Sequence, residues 1–298
     1  MKFQFYTCDV FTESRFGGNP LAVIPHADGL SDQQMQQIAR EFNFSESTFV
    51  FPPTVGYSRN IRIFTPAREV PFAGHPNVGT AFVLAGIGAF GEIQSSLSVT
   101  FEEKAGLVPV TIRAADGKVT SCELAAPQQL TIGETVPVEL VASALSLSVG
   151  DIVTETHQPQ VASVGLPFVM TELKDRAALE QARANMSGFE EIGQDIRPSL
   201  YFYTKAADDF DLRARMFAPL SGVPEDPATG SASCVIAGLL AHYDRRADGR
   251  FQWRIAQGVE MGRPSVIQAR AEKVGGIVQA TGVGGSCIMV SEGYIWVD

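Results

Sequence analysis

The chain predicts an α+β protein made of two similar halves, and three observations carry that reading. A stretch near residue 62 recurs near residue 215, about half the chain away. Both copies hold the same local signals, an alternating strand closed by proline and then the start of a helix. Most of the remaining sequence reads as short strands separated by glycine- and proline-rich turns, with few helices between them.

The repeat is specific. Arg62, Phe64, Pro66, Val70 and Pro71 recur as Arg215, Phe217, Pro219, Val223 and Pro224. With a two-residue deletion, Pro76, Gly79, Thr80 and Ala81 then recur as Pro227, Gly230, Ser231 and Ala232. In each copy an apolar run follows, Phe82 to Ala85 and Cys234 to Ala237, so each reads as a helix with proline at its first position. In that register His75 and Asp226 are matched, each preceding the helix proline. Asp226 also suits an ordinary N-cap. Imidazole is a poor cap, and the positive end of a helix disfavours its protonation, so His75 calls for a functional reason. Uncovered N–H groups at both helix ends suit an anionic ligand.

Composition narrows the classes. The 298 residues suffice for two domains, placed at 1–126 and 127–285, and 45% hydrophobic residues supply each with a core. A net charge of −10 weighs against nucleic acid and against an anionic membrane as partner. Four scattered cysteines without a C-x-x-C pair and four distant histidines give no metal or redox signature, so no metal is expected. The N-terminus alternates like a strand and carries no signal-peptide pattern, which leads to the expectation of a cytoplasmic protein. Gly74 to Thr80 has the glycine spacing of a P-loop but lacks its lysine, and no G-x-G-x-x-G is present, so no nucleotide cofactor is expected.

Taken in order, residues 3–10 and 20–25 read as strands joined by Phe16-Gly-Gly-Asn-Pro20. Ser31 caps a helix to about Phe42 whose buried face is Met35, Ile38 and Ala39. The next strand turns apolar just after Glu46, a carboxylate set between Ser45 and Ser47 with Phe44, Phe49 and Val50 nearby, where desolvation and hydroxyl groups suit proton transfer. Strands follow at 97–101, 107–113 and 119–124, and a helix at 137–147. The second half repeats the opening more faintly: strands at 161–164 and 168–171, a helix from about 175 to 184, and a strand at 198–203 that places Pro198 opposite Glu46. Strands at 251–256, 264–271, 274–281 and 286–297 close the chain, with Gly275, Gly276, Gly282, Gly284 and Gly285 as turn residues. Cys234 reads as core.

Four linked motifs then carry a resemblance: Asp9-Val-Phe-Thr with Phe16-Gly-Gly-Asn-Pro-Leu-Ala-Val23, Phe44-Ser-Glu-Ser-Thr-Phe49, Phe64-Thr-Pro with Phe72-Ala-Gly-His-Pro76, and Glu225-Asp-Pro-Ala-Thr-Gly-Ser-Ala232. The chain resembles the PhzF-like family of phenazine-biosynthesis isomerases, within the diaminopimelate epimerase-like superfamily. The resemblance implies two pseudo-symmetric domains, each a curved, mostly antiparallel sheet wrapped around a central helix, with the site in the cleft between them. It also implies a last strand, 286–298, returning to the first domain, and a homodimer. Glu46 would be the acid/base and His75 and Asp226 its polar partners, while Asn19, Ser45, Gly74, Gly230 and Ser231 would hold the substrate. Racemases of the superfamily place a thiol at each helix start. Here the matching residues read as Ala73 and Pro227, so a two-thiol inversion is unavailable. The expected activity is a cofactor-independent isomerase moving a proton on a small, anionic, carboxylate-bearing metabolite that is cyclic or unsaturated. An epimerase using non-thiol bases and a non-catalytic binder of small acids are the alternatives.

Overall fold

The computed structural model describes residues 1–193 and 199–298. The chain divides into two compact units, Met1–Pro127 with Val283–Asp298, and Gln128–Gly282.

In the first unit, strand Lys2–Val10 lies antiparallel to both Asn19–Ile24 and Cys287–Trp296, the latter bringing the chain's last strand beside its first. Asn19–Ile24 is parallel to Glu46–Phe51, and the crossover between them is helix Asp32–Phe42. That helix starts where the sequence places it. Ser31 accepts from Gln34 N and the Gln34 side chain returns to Ser31 N, a full capping box. Met35, Ile38 and Ala39 pack with Phe3, Ile24, Phe49 and Phe64. Glu46–Phe51 then pairs antiparallel with Arg59–Phe64, which runs parallel to Ser96–Glu103 through a second crossover, helix Gly74–Gly86. A meander of Ser96–Glu103, Gly106–Ala115 and Lys118–Ala125 follows.

Helix Gly74–Gly86 is the axis of this unit. Gly74 to Ala81, Val83 and Leu84 are all buried, and strands from both ends of the sheet touch it. A helix apolar on every face belongs inside a core. Gly79 lets it approach closely: a Cβ there would stand 2.6 Å from Leu21 Cδ2 and 2.7 Å from Val10 Cγ2.

The second unit uses the same plan. Strand Pro167–Leu173 pairs antiparallel with Gln160–Ser163 and parallel with Leu200–Lys205. Leu200–Lys205 is antiparallel to Leu212–Phe217, which is parallel to Gly249–Gln257 across helix Gly230–Tyr243. Gly249–Gln257 continues antiparallel into Ser265–Val274. The buried residues of helix Gly230–Tyr243 run almost unbroken from Gly230 to Ala241, Cys234 among them. The outer crossover is more broken than the sequence suggests. Asp175 caps a helix of only Arg176–Gln181, and a second short helix, Met186–Ile192, follows. The pairing of Pro198 with Glu46 falls outside the described residues.

Two readings need correction. Gly282, Gly284 and Gly285 are not turn residues but part of strand Ile277–Gly285. A Cβ on Gly284 would stand 2.7 Å from Cys122 O, so this glycine marks a close approach of two backbones rather than a bend. The repeat register also changes. The helices begin at Gly74 and Gly230, with Ala73 and Thr229 at the N-cap positions; Pro76 lies inside the first turn, and Pro227 precedes the second helix altogether. Arg62 grips Glu69 through two bonds of 2.8 Å each, and Arg215 grips Glu225 at 2.8 and 2.9 Å. Matching both the ion pairs and the helix starts aligns Glu69-Val-Pro-Phe-Ala-Gly-His75 with Glu225-Asp-Pro-Ala-Thr-Gly-Ser231. The second copy therefore has three more residues between its arginine and its helix, Arg215 to Gly230 against Arg62 to Gly74. His75 corresponds to Ser231, and Asp226 to Val70. The residues at the thiol positions are Ala73 and Thr229 instead of Ala73 and Pro227.

Candidate active site

The residues singled out by sequence fall into two groups, one in each unit. In the first unit the structure brings Asn19, Ser45, Glu46, Gly74 and His75 together. Asn19 opens strand Asn19–Ile24 after a turn that Asp9 holds by accepting from Phe16 N at 2.6 Å. Ser45 and Glu46 open the neighbouring parallel strand, with Glu46 opposite Leu21. His75 is the second residue of the central helix, after Gly74. Two parallel strand starts and one helix start thus place four polar side chains, Asn19, Ser45, Glu46 and His75, within reach of one another.

The hydrogen bonds set their roles. Ser45 Oγ donates to Asn19 Oδ1 at 3.0 Å, and the Asn19 amide Nδ2 stands 3.2 Å from His75 Nδ1. With Nδ2 as donor, Nδ1 is the acceptor and the proton of a neutral ring sits on Nε2. Nε2 is 3.6 Å from Glu46 Oε2, just beyond hydrogen-bond length. Burial holds the His75 pKa down at about 3, so the ring is neutral at physiological pH. The imidazole side chain is 4% exposed and the Glu46 side chain 18%. The difference matters, because only the carboxylate keeps a face toward solvent and hence toward an incoming molecule. A neutral N–H that meets a partly exposed carboxylate can orient it and follow its charge without itself becoming an imidazolium.

In the second unit Asp226, Gly230 and Ser231 surround the start of helix Gly230–Tyr243, all of them buried. Asp226 is not the N-cap expected from its place before proline. Thr229 occupies that position, and its Oγ1 donates to Asp226 Oδ2 at 2.6 Å. Gln257, which the sequence gave no reason to single out, fixes this segment. Its Oε1 accepts from Thr229 N at 3.1 Å, while Nε2 donates to Asp226 O at 2.8 Å and to Thr229 Oγ1 at 2.9 Å. With Gln257 supplying a proton to its oxygen, Thr229 turns its own proton to Asp226. Gly258, with a φ of +73° and a Cβ position that would stand 2.5 Å from Pro227 O, lets the end of Gln257's strand come against this loop.

Among the described residues no group of three or more His, Cys, Asp or Glu side chains has the arrangement of a metal site. None of their helices is long and apolar enough to cross a membrane.

A duplicated sheet-and-helix unit of this kind defines the class. The structure matches a hydroxyproline epimerase from Agrobacterium vitis over the whole chain and 93% of that protein, with a TM-score of 0.68 at 16% identity, so the fold is diaminopimelate epimerase-like. It matches a PhzF-family phenazine biosynthesis protein of Bacillus anthracis more fully, with a TM-score of 0.89 at 25% identity over the full length of both chains. In sequence, residues 8–293 fit the family described as phenazine biosynthesis-like protein, and the chain belongs to that family. A trans-2,3-dihydro-3-hydroxyanthranilate isomerase of Pseudomonas aeruginosa is 37% identical over 296 residues, 99% of each chain.

Proposed function

We propose that this protein is a cofactor-independent isomerase that relocates a proton on a small carboxylate-bearing metabolite, cyclic or unsaturated, with Glu46 as the acid/base. The observation that carries the reading is the Glu46 carboxylate, partly open to solvent and facing the Nε2 of a buried, neutral His75 that Asn19 and Ser45 hold in one tautomer. The names of its relatives support the reaction class. An ionised glutamate is too weak to deprotonate an ordinary carbon, so the substrate must bring a C–H acidified by conjugation or by a neighbouring carbonyl. Glu46 takes that proton and returns it at another carbon. His75 orients the carboxylate throughout, and because burial keeps it neutral it does not compete for the proton. The uncovered N–H groups at the helix start of Gly74 suit the substrate's anionic part, and Asp226, Gly230 and Ser231 stand at the corresponding helix start of the second unit. Homodimerisation belongs to the same reading, and light scattering reports it.

The decisive experiment uses trans-2,3-dihydro-3-hydroxyanthranilate as first probe, followed by other small unsaturated carboxylates, with solvent deuterium uptake as readout. Wild type is expected to exchange or isomerise at least one of them. Glu46→Gln keeps size and hydrogen bonding while removing the base, and is expected to lose about 10²–10⁴-fold in kcat/KM. Undiminished turnover in Glu46→Gln removes Glu46 from the chemistry.

A further inference from the structure

Strand register pairs two residues that the sequence never compares. In the first unit Arg59 stands opposite Phe101 in the parallel strand that follows the central helix, and in the second Leu212 stands opposite Ile255. The repeated arginines, Arg62 and Arg215, make Arg59 and Leu212 equivalent. Phe101 therefore corresponds to Ile255, and two residues further along, on the same face of the strand, Glu103 corresponds to Gln257. Four residues into each helix a second equivalence holds. Asn77 Nδ2 donates back to Ala73 O at 2.9 Å, and Ser233 Oγ donates back to Thr229 O at 2.9 Å.

In the second unit Gln257 ties the loop to the helix start. In the first, the Glu103 carboxyl lies against Asn77. Both Glu103 oxygens and Asn77 Oδ1 are shut off from solvent and have no hydrogen-bond partner among the described residues. The Asn77 amide cannot simply turn over, because its nitrogen is committed to the Ala73 carbonyl. Asn77 Oδ1 thus lacks a donor, and an ionised Glu103 offers none. A protonated one does, and a protonated glutamate has the shape of a glutamine.

We infer that Glu103 is a positioning residue held as a neutral acid, standing in for the amide of Gln257 and fixing, through Asn77, the helix start that presents His75. The inference rests on the reading of His75 and Glu46 given above. Burial pushes the Glu103 pKa up to about 8, although the Asn77 side chain beside it acts in the opposite direction. Among the described residues no neighbouring charge offsets it. Glu102 turns to the other face and accepts from Thr54, Val55 and Tyr57, while Lys104 pairs with Glu69, which Arg62 already grips.

The linkage has a definite sign. Between the ordinary glutamate value of 4.5 and about 8 the folded chain binds a proton that the unfolded chain releases, so stability falls as pH rises through that window and levels off above it. The test compares wild type with Glu103→Gln from pH 5 to 9. The expected result is that wild-type Tm drops by several degrees relative to Glu103→Gln, whose profile is flatter. The His75 ring ¹⁵N signals are expected to shift near pH 8 in wild type and not in Glu103→Gln, a response that a purely structural role would not give. Gln257→Glu is expected to lower Tm at every pH, because one acid proton cannot replace both amide donors. Parallel Tm profiles overturn the inference. So does a poorly folded Glu103→Gln, or a His75 signal that either ignores pH 8 or responds alike in both proteins. None of these readouts needs turnover, so an active Glu46→Gln would sink the proposed reaction and leave this test standing.

Discussion

Ahead of its central helix the first unit carries Val70, Pro71, Phe72 and Ala73; at the same places the second carries Asp226, Pro227, Ala228 and Thr229. The backbone frame is shared down to the arginine–glutamate clamp that precedes each segment. Side chains then diverge in a consistent direction. The first copy is apolar up to its helix and puts its polarity into His75, which reaches the strand starts at Asn19 and Glu46. The second puts its polarity before the helix, where Asp226, Thr229 and Gln257 are joined by hydrogen bonds. Duplication has kept the parts that set geometry and released the parts that set chemistry. Two identical helix starts would suit a symmetric two-base exchange, whereas two unlike ones suit the single base proposed above.

The comparison is broken most directly at the proposed base. If the first unit holds the base, Glu46→Gln loses the two to four orders of magnitude given above, while Thr229→Val, which removes only the hydroxyl bonded to Asp226, costs about tenfold or less in kcat/KM. Equal losses would mean that the two halves share the chemistry.

The clamps give the next largest contrast. Arg215 is 5% exposed in its side chain and also donates to Leu179 O and Ala182 O, the latter shared with Arg183, so Arg215→Ala takes the clamp from the Glu225 carboxylate and a donor from each of two carbonyls. About 3–5 kcal/mol of destabilisation is expected in urea unfolding. Arg62 is 23% exposed and bridges to the exposed Asp32, so Arg62→Ala is expected to cost about 1 kcal/mol. Similar values for the two would show that the clamps carry equal weight despite their different burial.

Asn19→Ala removes the donor that fixes the His75 tautomer. Its expected effect under the proposed reading, in which the group orients the base, is about tenfold in kcat with little change in KM. A change confined to KM would make Asn19 a binding residue instead.

The last contrast lies in acid, outside the pH range of the other tests. The folded His75 pKa of about 3 lies below the ordinary 6.5, so between these values the unfolded chain binds the extra proton. This contribution is fully present above pH 6.5 and is lost as pH falls toward 3. His75→Gln is expected to flatten that limb of the Tm profile, and an unchanged limb would place the acid sensitivity elsewhere.

Much of this was readable without coordinates. Capping chemistry is local, so Ser31 and the helix to Phe42 were legible, as were the strands on either side of Glu46. The approach of Glu46 to His75 was not legible in the residues themselves; it came from the family resemblance and now has a distance. Other elements misled. Proline beside a histidine and proline beside an aspartate look like the same helix signal, yet Pro76 falls within a helix turn and Pro227 before one. Three inserted residues hid the true match of Glu69 with Glu225. Gln257 and Glu103 had no signal at all, because a residue's partner across a parallel strand pair lies wherever the crossover deposits it.

By itself the sequence determined that one α+β unit was made twice, where most of its strands and helices run, and that a carboxylate and a histidine merit attention, since propensity, capping and repetition act over a few residues. Only the tertiary structure decided which residue of one copy answers which of the other, that His75 is neutral, and that Glu103 is buried against an amide. Those properties depend on burial and on register across strands far apart in the chain, and neither is a function of local spacing.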